Sequence, residues 1–306
     1  MRTVLIPGTD LHVSTFCMGA MPFGDSYGGD EGDALLDTFV EHGGNFFDTA
    51  HCYCFWTAAG AGSSERALAD YLDRRGLWDE VTVATKGGHP SESGYRTVEH
   101  YLSPGRIAAD IDDSLGRMQI DTIDLYWLHR DDLRVPVGEI VECLNSEVRG
   151  GRIRYFAGSN WSGTRLEQAN TYALENGLQG FVASQPCWSL ASKPMSRSMR
   201  ELSPEDWEYH VRMGMPVIPY SPTAQGYFAS GGAKGKAYDV PANAARLRKV
   251  QALAEERGVS TNQVALAWLL NQPFPVIPIL GTSKCEHLLD ALGAANISID
   301  PTDLVV

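Results

Sequence analysis

Residues 103–128 read SPGRIAADIDDSLGRMQIDTIDLYWL, and the fold can be reasoned outward from this stretch. Ser103-Pro104 is a helix start: a capping hydroxyl, then a proline at the first helical position, where its missing N–H costs nothing. Ile107, Ile111, Leu115 and Met118 then recur on one face at helical spacing. A short polar connection leads to Ile123–Leu128, a run with the length and residue types of a buried strand.

The same alternation repeats on both sides. Strand candidates are Phe16–Met18, Asn45–Asp48, Val81–Thr85, Ile123–Leu128, Arg152–Ala157, Phe181–Gln185, Val217–Tyr220 and Val276–Leu280. A helical pattern follows nearly every one. Alternating strands and helices imply parallel βαβ units, and eight such units predict a closed α/β architecture, a (β/α)8 TIM barrel. Gly43-Gly44 and Gly76 stand where helices should end, and Ser260-Thr-Asn-Gln263 reads as a capping box. Asn243–Gly258 reads as an extra helix before the last barrel helices. Ahead of the first strand, Thr3–Ile6 and Leu11–Ser14 flank Pro7-Gly8-Thr9-Asp10, which predicts an N-terminal β-hairpin plug at the bottom of the barrel. No composition break marks a second domain, so residues 1–306 are expected to form one barrel domain. Ser230–Gly235 reads as a loop after the seventh strand, and the polar strip Ser192–Trp207 as a segment folding over a bound cofactor.

Composition narrows the function. A formal net charge of −13 disfavours nucleic acid and anionic lipid as partners. No run of eighteen apolar residues occurs, and the N-terminus lacks a long apolar leader, so a cytoplasmic protein is expected. The cysteines at 17, 52, 54, 143, 187 and 285 are too scattered for a disulfide framework. His51-Cys52-Tyr53-Cys54 has no second ligand pair, so no metal is expected there.

In a barrel the carboxyl ends of the strands carry the chemistry. The second strand ends in Asp48, the third in Lys86 and the fourth in His129, with Tyr53 in the loop after Asp48. This set suits reduction of a carbonyl. Hydride addition makes an alkoxide that needs a proton, and a free tyrosine, with a pKa of about 10, is a poor acid near neutrality. Lys86 is expected to lower that pKa, Asp48 to hold the lysine, and His129 to stabilise charge on the carbonyl oxygen.

Gly44-Asn-Phe-Phe-Asp-Thr-Ala50, Ser63–Leu68, Ala84-Thr-Lys86, Asp124-Leu-Tyr-Trp-Leu-His129, Gly151–Trp161 and Pro219-Tyr-Ser-Pro222, in this order, resemble the aldo-keto reductase superfamily over nearly the whole chain. The resemblance implies a barrel with the cofactor lying across its top. It also implies a catalytic tetrad of Asp48, Tyr53, Lys86 and His129, with Tyr53 as general acid. Ser159, Asn160 and Gln185 resemble the group that grips the nicotinamide carboxamide, and Tyr220 the aromatic that stacks on its ring. Ser221 and the loop through Gly226 would follow the pyrophosphate. Gly281, Ser283 and Lys284 resemble a 2′-phosphate site, which implies NADP. His287 stands at the adenine position, where the family favours arginine or glutamine, and Ala291 where it favours asparagine; with Cys285 in place of proline, these departures leave NAD open. Trp56, Trp161 and Trp188 follow active-face motifs and are candidates to line a substrate pocket.

The expected activity is NADP-dependent reduction of an aldehyde or ketone, a sugar or a secondary-metabolite carbonyl, to an alcohol. A cofactor-binding regulatory subunit with vestigial catalysis is the alternative from another class. A Schiff-base mechanism at Lys86 is disfavoured by Asp48, because a paired lysine stays charged and is a poor nucleophile. The sequence leaves the exact substrate and the oligomeric state open.

Overall fold

The computed structural model describes residues 1–92, 95–96, 99–195 and 199–304. A hairpin opens the chain, with β1 (Thr3–Leu5) antiparallel to β2 (His12–Ser14) and Thr3 opposite Ser14. Seven short parallel strands follow: β3 (Cys17–Gly19), β4 (Phe46–Asp48), β5 (Thr82–Gly87), β6 (Ile123–Leu128), β7 (Ile153–Ser159), β8 (Ser184–Gln185) and β9 (Ile279–Leu280). Their order in the sheet is β8-β7-β6-β5-β4-β3-β9, so neighbours in sequence are neighbours in space until the sheet curls round to β9.

Between β8 and β9 the ring continues through Val217–Tyr220, but as isolated bridges rather than a ladder. The cause is proline. Pro186, Pro216, Pro219, Pro275 and Pro278 all accept backbone hydrogen bonds along this seam, for example Ser184 N–H to Pro216 C=O at 3.0 Å and Ile279 N–H to Pro219 C=O at 3.0 Å. None has an N–H to donate in return. The seventh sequence candidate is therefore not a regular strand, and the eighth shortens to two residues.

The helices are α1 (Gly29–Glu41), α2 (Ser63–Arg75), α3 (Pro104–Met118), α4 (Val137–Arg149), α5 (Gly163–Glu175), α6 (Pro204–Met213), α7 (Pro241–Arg257), α8 (Thr261–Leu270) and α9 (Cys285–Gly293). The Ser260–Gln263 capping box forms at the start of α8, and Gly76 closes α2 at φ +66°, a conformation that costs a side-chain-bearing residue more. Ahead of α7, Val240 is extended and Pro241 takes the first turn, so this helix begins two residues before the sequence expectation.

Strand parity divides the core. Phe46, Ala84, Leu125, Trp127, Ala157, Ala183, Ile218 and Ile277 pack together inside the sheet, joined by Ile6, Leu11 and Val13 of the hairpin. Their neighbours Phe47, Val83, Tyr126, Leu128 and Phe156 face the helices and pack in the outer core. This is the period of two expected of strands covered on both faces. The next inward step along each strand lands on Gly19, Asp48, Lys86, His129, Ser159, Gln185, Tyr220 and Gly281. One ring of positions thus caps the inner core.

Candidate active site

A cavity of about 500 Å³ opens over this ring and is lined by Gly19, Asp48, Tyr53, His129, Ser159, Gln185, Tyr220 and Gly281, among others. Lys86 lies beneath its floor and is 1% exposed. The lysine ammonium donates to the Asp48 carboxylate, to the Thr49 carbonyl at 2.7 Å and to the Tyr53 hydroxyl at 3.0 Å. Its three donors are therefore spent, two on fixing the ammonium and one on the phenol. The other carboxylate oxygen of Asp48 accepts from the Gln185 amide at 3.1 Å.

Burial governs the ionisation of these groups. It raises the Asp48 carboxyl, against the pull of Lys86 and Gln185. It works against the Lys86 charge too, but Asp48 and Tyr53 more than offset it, and the lysine titrates above its ordinary value. We take the pair as ionised, because neutralising one partner would strand the other charge in the interior. For Tyr53 the expectation from sequence needs correcting. Lys86 does pull the phenol down, but desolvation is larger and the net shift is upward. His129 is held well below its ordinary value, first by burial and then by Arg130 and His89, so its imidazole is neutral at physiological pH.

The His129 ring meets Tyr53 edge-on, with centroids 5.9 Å apart. Its Nδ1 lies 3.5 Å from the Cys52 thiol, which burial pushes up to about 12. Cys52, His89 and His129 bring one ligand-type atom each within 4.8 Å of one another. Sequence reasoning missed this grouping, because His89 arrives from the loop after β5 and the His51-x-x-Cys54 stretch drew attention instead.

The expected cofactor residues divide into two sets. Ser159, Gln185, Tyr220 and Ser221 line the first cavity. Asn160 does not open into it. Its amide donates to the His129 carbonyl (3.1 Å) and the Ser159 hydroxyl (3.0 Å), and accepts from the Tyr220 hydroxyl and the Arg200 N–H, both at 2.9 Å. Asn160 therefore ties three strand ends together.

A second cavity, about 510 Å³, takes in Gly226, Gly281 and His287. Thr223, Gln225, Gly281 and Thr282 line both, so the two form one trough. The backbone between them turns through left-handed conformations at Ser221, Ala224, Gln225 and Gly226. Strain of this kind gathers at binding sites, and such turns present N–H groups to anions. Lys234, Asn262 and Asp290 also line this end, and the sequence reading had none of them. Ser283 and Lys284 are not among the described residues lining either cavity; the Lys284 ammonium instead faces Glu286 at 3.4 Å.

None of the three tryptophans expected at a substrate pocket is among the described residues lining either cavity. Trp56 is 54% exposed and packs edge-on against Phe55. Trp161 is buried against Phe181 and lies back over Gly158, where a Cβ would approach its ring to 2.9 Å. Trp188 packs between Trp268 and Phe274. Among the described residues, the first cavity is also lined by Met21, Pro22, Tyr27, Arg130 and Met199. Part of the strip 192–207, at 196–198, falls outside the described residues.

The chain matches the aldo/keto reductase family over residues 15–304. It is 30% identical to norsolorinic acid reductase B of Aspergillus parasiticus, with 96% of this chain and 80% of the relative covered. It is 31% identical to the uncharacterized oxidoreductase YrpG of Bacillus subtilis (98% and 93% covered). It is 30% identical to the aryl-alcohol dehydrogenase [NADP(+)] of Phanerodontia chrysosporium (98% and 83%). Polar residues gathered at the carboxyl ends of the parallel segments and a match over nearly the full length lead to one assignment: the chain belongs to the aldo/keto reductase family and is an oxidoreductase.

Proposed function

We propose that this enzyme reduces an aldehyde or ketone to an alcohol, with NADPH as hydride donor and Tyr53 as proton donor. The observation that carries the proposal is the contact of Tyr53 with Lys86, an ammonium itself anchored by Asp48. The trough fits a dinucleotide: Ser159, Gln185 and Tyr220 offer amide, hydroxyl and aromatic partners at one end, and the left-handed turn with Lys234 offers anion partners at the other. A reduced nicotinamide, when bound, supplies the hydride.

The residues of the chain do the rest. Tyr53 is protonated at neutral pH, as an acid must be before it acts, and the Lys86 charge 3.0 Å away stabilises the phenolate left behind. Neutral His129 donates an imidazole N–H to the carbonyl oxygen as charge grows there. We read the Cys52–His129 contact as fixing the tautomer rather than as metal ligation: a protonated thiol donates to Nδ1 and leaves the N–H on the other nitrogen. Inside this reading, residues 1–306 form one domain, the hairpin plugs the amino end of the barrel, and α7 is the additional helix. The relatives named for norsolorinic acid and aryl alcohols make aryl carbonyls the first class to try, and the NADP(+) in one name favours NADP over NAD.

The test is loss of NADPH absorbance with a panel of aldehydes, α-diketones and keto-sugars, wild type beside Tyr53→Phe. Carbonyl-dependent consumption that disappears in the mutant is the expected result. A mutant that turns over at the wild-type rate removes Tyr53 as the acid.

A further inference from the structure

We propose that Arg130 selects substrates that carry a carboxylate on the body of the carbonyl compound; this rests on the reductase reading above. Arg130 follows His129 directly at the end of β6 and lines the same cavity as Tyr53 and Tyr220. One guanidinium nitrogen, Nη1, donates to the His129 carbonyl at 2.9 Å, which fixes the group at the rim of the site. The Nε is buried with no partner. Among the described residues no carboxylate pairs with this arginine, although the acids beside it are taken: Asp131 by Arg165 at 3.2 Å and Asp132 by Arg134 at 2.7 Å.

A buried donor without an acceptor is costly, and a half-buried cation without a counter-ion more so. Nη2 has no partner among the described residues and is the donor of the fork left for a carboxylate oxygen, while the inaccessible Nε leaves the cation short of one acceptor. The other cation of the site, Lys86, is already neutralised by Asp48, so Arg130 is the charge left for a ligand. The same cavity is lined by the apolar groups of Met21, Pro22, Tyr27 and Met199. It suits an aromatic or aliphatic body between the carbonyl and the acid. The cofactor's phosphates have their own partners in the second cavity, around Gly226 and Lys234.

The experiment compares 4-carboxybenzaldehyde with its methyl ester, an uncharged near-isostere, as substrates at pH 7. The wild type should prefer the acid by about tenfold or more in kcat/KM, the worth of one charge-assisted pair. Arg130→Met should erase that preference, and Arg130→Lys should keep part of it. NADPH affinity, read by fluorescence titration, should stay within about twofold in Arg130→Met, since on this reading Arg130 pairs with the substrate rather than with the cofactor. Equal rates for acid and ester in the wild type would overturn the proposal. So would an Arg130→Met variant that slows both equally, or one that weakens NADPH while keeping the ratio. If no aldehyde is reduced at all, the reductase reading falls by itself, and Arg130 is judged by calorimetry with benzoate. Binding to wild type that is lost in Arg130→Met upholds the anion site; equal binding, or none, ends it.

Discussion

The two ends of the trough are built differently. At the inner end every polar group comes from a strand end or its first loop; Asp48, Lys86 and Ser159 are nearly inaccessible, Lys86 donating to Asp48 and the Ser159 hydroxyl to the Gln185 carbonyl. At the outer end the groups come from loops and from α8 and α9, with Lys284 and Glu286 beside the cavity rather than among its lining residues. Lys284, Glu286 and His287 have side chains 59–71% exposed and pair only loosely with each other. The inner end is held by its own hydrogen bonds, with the Lys86 ammonium fixed between Asp48, Thr49 and Tyr53. The outer end is more exposed and has few such internal bonds. Preorganisation belongs where the chemistry is, and tolerance where only affinity is at stake.

The largest effect that would sharpen this contrast is that of Tyr53→Phe. It should cost about 10²–10⁴-fold in kcat, the range of one general acid, and leave NADPH binding close to wild type. Comparable losses in both would mean that the two ends are not separable. Next, Lys86→Met should destabilise the fold by about 3–5 kcal/mol, because it leaves Asp48 buried and uncompensated. A variant with unchanged Tm would break the picture of a pre-set inner end.

Acid should act on the inner end as well. His129 and His89 at that end, and His210 on α6 outside it, are buried and neutral, and His89 is lowered to about 4. The unfolded chain takes up these protons near pH 6.5 and the folded one only well below. Stability is therefore full above pH 6.5 and declines as pH falls toward 4, by roughly 3 kcal/mol from His89 alone. Urea midpoints at pH 7, 5.5 and 4.5 would show it, and a midpoint flat across this range would contradict buried, neutral histidines. The smallest effect is at the outer end. Lys234→Ala should weaken NADPH by about tenfold, as for one charged hydrogen bond, with Tm unchanged. Lys284→Ala, at an exposed pair, should stay within about threefold. The reverse order would return the 2′-phosphate to Lys284, where the sequence had put it.

The inner end was legible in the sequence because it follows two simple periods. Strands alternate inward and outward, so Asp48, Lys86, His129, Ser159 and Gln185 could be located by counting from the apolar runs that precede them. The capping box at Ser260 and the helix start at Ser103-Pro104 could be read for the same reason, as local chemistry fixes them. Trp161 and Trp188 lie just past strand ends, where parity no longer dictates direction; they turn outward, into room left by Gly158 and beside Phe274. Lys234, and the meeting of His89 with Cys52, depend on how loops cross the rim, which no period encodes. The sign of the Tyr53 shift was missed for a different reason. It is a contest between desolvation and one cation, and burial depth is not written in a motif.

The proline seam has a consequence for motion. Elsewhere around the ring adjacent strands are laced by donors from both sides, while across 216–219 and 275–278 several rungs have an acceptor and no donor. A zip with missing teeth opens there first. The remaining amides of Val217, Ile218, Ile277 and Ile279 should exchange with deuterium sooner than those of β5 or β6, by local breathing rather than global unfolding. Tyr220 and Gly281 stand at the upper ends of the same two segments and line the trough. A dinucleotide lying across them would act as a clasp, so its arrival should be recorded as slowed exchange along this seam, on the far side of the barrel from Lys86.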